Sequence, residues 1–248
     1  MKVYFASDIH LGGGGSLEAR ERERRFVAWL DTLTDADAVV LVGDVFDFWF
    51  EYKRVVPKGF VRTLGRLAAL RDRGVRVIFF TGNHDMWVRN YFAEECGMEV
   101  YLNPCVLEFG QRRLFVAHGD NMNIHDKPVL RLMNATFRSR PLRWLFRWLV
   151  HPDCALKFGL WWSGSSRKSH NKEQFTEAIT EPLIDYARTW QATHPDQRID
   201  HFVFGHMHFP RDWHEPQLHV VHLGGWELYP SYAVLDEDGG LTLNLLQK

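Results

Sequence analysis

Five stretches of the chain end an apolar run in residues able to hold a cation or move a proton. They are Ser7-Asp8-Ile9-His10, Gly43-Asp44-Val45-Phe46-Asp47, Gly82-Asn83-His84-Asp85, His118-Gly119-Asp120 and Gly205-His206-Met207-His208. A glycine in four of the five lets the backbone turn tightly next to the polar side chains. Two carboxylates (Asp8, Asp44), one amide (Asn83) and four imidazoles (His10, His118, His206, His208) make a mixed oxygen and nitrogen donor set. Such a set suits hard-to-borderline divalent ions such as Mn²⁺, Fe²⁺ or Zn²⁺. One aspartate at a strand end is ordinarily a turn or cap residue, and one histidine is ordinarily structural. Five such endings in succession are not explained that way.

For these residues to converge, the apolar runs must be strands of an α/β sheet, whose carboxyl ends collect functional groups. Short apolar runs do alternate with amphipathic stretches. Strands are expected at Val3–Ser7, Ala38–Val42, Val75–Thr81, Arg113–Ala117, His201–Phe204 and His219–Leu223. A closing hairpin is expected at Tyr232–Leu235 and Leu241–Leu245, turned by Asp238-Gly239-Gly240. Helices are expected at 17–33, 60–73, 87–96 and 173–193. Residues 121–170 break the alternation and read as a mostly helical insertion in a single domain spanning 1–248.

The bulk properties narrow the function. Of 248 residues, 46% are apolar, enough for a sizeable core, and 25% are charged, which argues against disorder. A net charge of -1 argues against a general nucleic-acid binder. Cys96, Cys105 and Cys154 have no CxxC spacing and suit a reducing compartment. The start lacks a signal-peptide pattern, and no apolar window is long enough to span a bilayer. The expected location is therefore cytoplasmic.

Charge is nonetheless distributed unevenly. Residues 127–172 hold ten Lys or Arg against Asp153 alone, together with four of the ten tryptophans (Trp144, Trp148, Trp161, Trp162). Within this segment LRWLFRWLV (142–150) follows Pro141, which suits a first helical turn. Arg143 and Arg147 fall on one face and Leu142, Leu145 and Leu149 on another. This basic amphipathic helix is of the type that rests on an anionic membrane surface. The alternative is a helix packed on its own domain with its arginines in water. Elsewhere, Gly12–Gly15 lack the Lys-Ser/Thr of a P-loop and read as a loop. His151, His194 and His214 read as surface residues, and His125, His201, His219 and His222 as structural ones.

The order DxH, GDxxD, GNHD, H, GHxH, spread over residues 8 to 208, resembles the calcineurin-like metallophosphoesterase family. The resemblance implies a four-layer αββα sandwich and two divalent metals bridged by Asp44. Asp8, His10 and His208 would complete one site, and Asn83, His118 and His206 the other. His84 would contact the phosphate or the leaving oxygen as a catalytic residue, with Asn83 beside it on the substrate. Asp47 and Asp85 would brace histidines or loops from behind.

Length, motif set and the place of the insertion are similar to the bacterial UDP-2,3-diacylglucosamine pyrophosphohydrolases of lipid A biosynthesis. That branch implies a helical lid over the metals, an acylated nucleotide-sugar substrate and release of UMP and 2,3-diacylglucosamine 1-phosphate. It also implies a peripheral position on the inner face of the bacterial inner membrane, with no protein partner. GDVFDFWFEY (43–52) and SSRKSHNKEQF (165–175) resemble the same branch and bring Arg167, Lys168, Asn171 and Lys172 forward as substrate contacts. The chain departs from it at one position, reading GNHD where the best-known members read GNRD. Hydrolysis of a nucleotide or another small phosphoester therefore stands as the alternative. A binding scaffold without catalysis is disfavoured, because every ligand position of the motifs is filled.

Overall fold

The computed structural model describes residues 1–122, 128–170 and 176–246, with only the backbone of 130 and 165–170. Its strands are β1 (Val3–Ala6), β2 (Ala38–Val42), β3 (Arg76–Phe80), β4 (Glu99–Tyr101), β5 (Cys105–Phe109), β6 (Arg112–Ala117), β7 (His201–Phe204), β8 (Arg211–Glu215), β9 (Leu218–His222), β10 (Ser231–Leu235) and β11 (Leu241–Leu245). The helices are α1 (Ser16–Thr32), α2 (Val61–Asp72), α3 (Tyr91–Cys96), α4 (Pro128–Arg138), α5 (Arg140–Leu149), α6 (Pro152–His170) and α7 (Glu181–Thr193).

Two sheets result, one ordered β11-β10-β1-β2-β3-β4 and the other β5-β6-β7-β9-β8. β1, β2 and β3 run parallel, as do β6, β7 and β9. The reason is visible in β2, AVVLV, which is buried along its whole length. Successive side chains of a strand point to opposite faces, so a strand covered on both sides must be continuously apolar. Val39 and Leu41 meet Phe26, Trp29, Leu67, Leu70 and Phe92 of α1 to α3. Val40 and Val42 instead meet Leu114, Val116, Val203 and Val221 of the second sheet. On that sheet's outer face, Phe115, Phe202 and Phe204 pack on Leu183, Ile184 and Ala187 of α7. Each fully buried side chain of this size contributes about 1.5–3 kcal/mol. The layers are thus helix, sheet, sheet, helix.

Several expected boundaries move. The expected helix 87–96 begins only at Tyr91. Trp87 is instead held extended in a bridge to Phe50, and buried Glu51 accepts the Asn90 and Tyr91 amides at the helix start. The expected helix 173–193 begins at Glu181, after a 3₁₀ turn at Glu177–Thr180, and residues 171–175 lie outside the described residues. Strands β4, β5 and β8 were not expected. β4 is only three residues long, and β8, RDWHE, carries the polar residues typical of a sheet edge.

The insertion forms α4, α5 and α6, seated against the loops that follow β2, β3 and β6. Trp87 Nε1 donates to the Phe137 carbonyl at 2.7 Å, and Tyr52 Oη to the Val150 carbonyl at 2.7 Å. Arg138 pairs with Asp120 at 2.8 Å. In α5 the faces are reversed relative to the expectation of arginines on a membrane or in water. Arg147 lies over the Phe50 ring at 5.5 Å, and Arg143 Nη1 reaches the Met86 carbonyl at 3.5 Å. Phe146 packs between Phe50 and Trp87. Trp144, Trp148 and Leu149 face outward, 64%, 74% and 63% exposed. The loops beneath the helix offer carbonyls and ring faces that suit guanidinium groups, so the apolar side is left outside.

Candidate active site

The five polar endings follow β1, β2, β3, β6 and β7, and both sheets deliver them to one place. Their backbones are unusual. Asp8, His10, Asp44, His206 and His208 all have positive φ, from 49° to 69°. This left-handed region is costly for residues with a Cβ and is held mainly where the surroundings enforce it, as at functional sites. Part of the enforcement is a lattice of backbone bonds between the loops. Asp8 N donates to the Gly43 carbonyl, His10 N to the Asp44 carbonyl, and Trp226 N to the Asp8 carbonyl.

Asp8, His10 and His208 form one donor group, and Asp8, Asp44 and His118 another. His208 Nε2 is 3.1 Å from Asp8 Oδ1 and 3.1 Å from His10 Nε2. Asp44 Oδ2 is 3.3 Å from His118 Nε2 and 3.9 Å from both His10 Nε2 and His84 Nε2. Asn83 Oδ1 is 3.3 Å from His118 Nε2, and the His206 ring lies against that of His118 with centroids 5.2 Å apart. Asp44 therefore occupies the middle of the cluster.

The remaining side of each group fixes which atom points inward. His118 Nδ1 donates to the Val42 carbonyl at 2.9 Å, which leaves Nε2 directed at Asp44. His84 does the same through Nδ1 to the Asp47 carbonyl at 2.8 Å. Asp47 Oδ1 lies 3.5 Å from His10 Nδ1. Asp85 braces a loop rather than a ring. Its carboxylate accepts from the backbone N–H groups of Gly82 at 2.7 Å, Val45 at 2.9 Å, Asp44 at 3.3 Å and Phe46 at 3.4 Å.

The electrostatics follow from crowding buried acids and imidazoles. Burial pushes the Asp8 carboxyl up, but His208 beside it brings it down to about 2. Burial opposes ionisation of Asp44 as well, and His118 and His84 still hold it well below the usual range. Burial and the charge of Asp44 raise Asp85 to about 7. Burial and neighbouring His118 lower His206 to about 4.

Divalent cations fit this donor set. Asp8 Oδ1 is fully buried and accepts no hydrogen bond among the described residues. The ring nitrogens of His10 and His208 point at one another across it. Such an arrangement leaves lone pairs and anionic oxygens facing a common space, which a divalent cation satisfies.

Every residue of the seven-residue donor set lies in this cluster, together with His84, Asp47 and Asp85. Arg167 and Lys168 fall on α6 with side chains outside the described set, and Asn171 and Lys172 lie outside the described residues. Sequence reasoning missed the loop after β9. There Gly225 N donates to the His208 carbonyl at 3.0 Å, and a Cβ at Gly225 would lie 3.0 Å from the His208 ring. The Gly224-Gly225 pair was the available signal. It also missed Arg22, whose guanidinium donates to the His10 carbonyl at 2.7 Å from α1.

The calcineurin-like phosphoesterase family model matches residues 1–210. A UDP-2,3-diacylglucosamine hydrolase of Porphyromonas gingivalis is 37% identical over 258 residues, covering 98% of this chain and 96% of the relative. One from Ralstonia nicotianae is 27% identical over 252 residues, covering 97% and 91%. Among solved structures, an archaeal phosphodiesterase aligns with 99% of this chain and 100% of its own, at 14% identity and a TM-score of 0.47. With a family model spanning most of its length and a relative this similar from end to end, the chain belongs to the calcineurin-like phosphoesterase family.

Proposed function

We propose that the protein hydrolyses the pyrophosphate bond of UDP-2,3-diacylglucosamine, giving UMP and 2,3-diacylglucosamine 1-phosphate for lipid A biosynthesis. The observation that carries this reading is the juxtaposition of two features. A buried donor cluster suited to phosphoester hydrolysis adjoins three helices with an apolar outer surface. A diphosphate headgroup with two acyl chains needs both. The substrate named for the Porphyromonas relative, similar across nearly its whole length, supports the same choice.

In this reading Asp8, His10 and His208 would hold one cation, Asn83, His118 and His206 a second, and Asp44 would serve both. Mn²⁺ is the proposed ion. Bound there, the cations supply charge neutralisation on the phosphoryl oxygens and activation of water. Water adds to the phosphorus bearing uridine, the bridging P–O bond breaks with its electron pair leaving on the sugar phosphate, and the proton lost by the water passes to solvent. His84, fixed through Nδ1–H to the Asp47 carbonyl, presents Nε2 toward the phosphate and, as the imidazolium with a second proton on Nε2, stabilises charge there. Asn83, Arg167, Lys168, Asn171 and Lys172 contact the phosphates or sugar.

α4 to α6 act as the lid that receives the acyl chains. Val129, Leu132, Trp144, Trp148 and Trp161 are each more than 60% exposed, a surface unusual for a monomer without a partner. No helix among the described residues is long and apolar enough to cross a membrane. We place the protein at the cytoplasmic face of the inner membrane, held peripherally by this apolar surface. Incubation of Mn²⁺-loaded protein with UDP-2,3-diacylglucosamine tests the reaction. UMP formation above a chelated control is expected, and its absence removes this substrate.

A further inference from the structure

A second cluster of ligand-type side chains lies away from the first, on the edge hairpin β8–β9. Asp212, His214 and His219 bring one donor atom each to within 4.8 Å of one another. His214 and His219 are direct cross-strand partners, and Asp212 precedes His214 by two residues, so all three share a face. The cluster sits toward the start of β9, whereas the candidate active site uses the carboxyl ends of the strands.

The geometry around the cluster is specific. Asp212 Oδ1 lies 2.7 Å from His219 Nε2 and 3.0 Å from His214 Nε2. The two imidazole rings stack with centroids 4.0 Å apart. Behind them stands His201, buried at the start of β7. Its Nε2 is 3.0 Å from the Gly239 carbonyl, and its Nδ1 is 2.7 Å from His219 Nδ1. A carbonyl oxygen only accepts, so His201 Nε2 carries the proton and donates. In the neutral ring His201 Nδ1 is then an acceptor, and His219 Nδ1–H donates to it. With Nδ1–H used in this way, a neutral His219 directs the lone pair of Nε2 at the Asp212 carboxylate. Such an arrangement repels unless a cation bound by both groups offsets it. A histidine whose other ring nitrogen is anchored by a hydrogen bond is also the usual state of a metal ligand.

We propose that Asp212, His214 and His219 form a separate divalent-cation site of the zinc class, with His201 as the positioning residue behind His219. Two imidazoles and one carboxylate with room for water match the donor pattern of open Zn²⁺ sites. Room for water is present: His214 and His219 border a cleft of about 410 Å³ that Arg112, Asp200, His201 and Gly239 also line. A cation here cross-links β8 to β9 through one face of the hairpin.

The competing arrangement is a protonated His219 paired with Asp212 and no metal. Untagged protein equilibrated with buffered micromolar Zn²⁺, freed of unbound metal and analysed for zinc per chain separates the two. Asp212→Asn with His214→Gln is expected to hold one equivalent less than wild type, with unchanged hydrolysis of a water-soluble phosphodiester. Equal zinc contents overturn the site, whatever the absolute number. His214 has a side chain 65% exposed, so His214→Gln alone repeats the test without risk to the fold. Matching melting curves in EDTA establish that the variants are folded.

Discussion

Gly82 lies so close to Asp44 that a Cβ on Gly82 would sit 2.7 Å from the Asp44 amide nitrogen and 2.8 Å from its carboxyl carbon. The neighbour is backbone, held in turn by Asp85, so it cannot swing aside as a long side chain would. Gly82→Ala must therefore force the β2 and β3 loops apart. Overpacking of this kind costs about 1–3 kcal/mol. A lowered melting temperature and a larger proportional loss of hydrolysis are expected. Wild-type values in both would mean that the two loops are not locked together.

Among the described residues, Asp44 is the one carboxylate within reach of His10, His84 and His118 together. If it bridges two cations, Asp44→Ala loses turnover and bound metal together. Activity assays paired with metal analysis check this. Near wild-type turnover with the full metal content contradicts the bridging role.

His222 provides a pH signature independent of the active site. It is fully buried beside Phe204, and neither ring nitrogen finds a hydrogen-bond partner among the described residues. Burial, reinforced by the nearby Arg211, lowers its pKa from 6.5 to about 3. Above pH 6.5 it is neutral in both folded and unfolded chains and has no effect on the balance. As pH falls below that value the unfolded chain gains a proton that the folded one refuses until about pH 3. Stability therefore drops with acidity through this window, by at most about 1.4 kcal/mol per pH unit for one proton. Urea melts of His222→Leu between these limits are expected to show a shallower slope than wild type. An identical slope contradicts the assignment.

The two faces of α5 make opposite predictions. Trp144→Glu with Trp148→Glu alters only the outward face, so partitioning onto anionic vesicles falls while hydrolysis of a water-soluble phosphodiester persists. Arg143→Glu with Arg147→Glu alters the inward face, where Arg147 covers Phe50, and lowers the melting temperature instead. Vesicle sedimentation and thermal melts read both. Unchanged vesicle binding in the tryptophan variant removes the membrane role of this helix.

What the sequence disclosed and what it hid divide along physical lines. Buried central strands such as Ala38–Val42 are legible because two covered faces demand an unbroken apolar run. The donor set is legible because each member terminates such a run. The positive φ of Asp8, His10, Asp44, His206 and His208 is not, since it comes from loops locking against each other across the fold. Nor is the orientation of Arg143 and Arg147. Their period places them on one face of α5, and only the carbonyls and rings beneath decide that this face turns inward. The cluster of Asp212, His214 and His219 was hidden for a similar reason. RDWHE reads poorly as a strand, and without that strand His214 has no cross-strand partner.

The central claim is that the substrate needs both its diphosphate and its acyl chains. The most direct measurement is kcat/KM for UMP release from UDP-2,3-diacylglucosamine and from the same nucleotide sugar without acyl chains, with one Mn²⁺-loaded preparation. The account predicts a clear preference for the diacylated substrate, with UMP and lipid phosphate formed in equal amounts. Equal or faster release from the unacylated sugar would contradict it and favour a general nucleotide phosphoesterase.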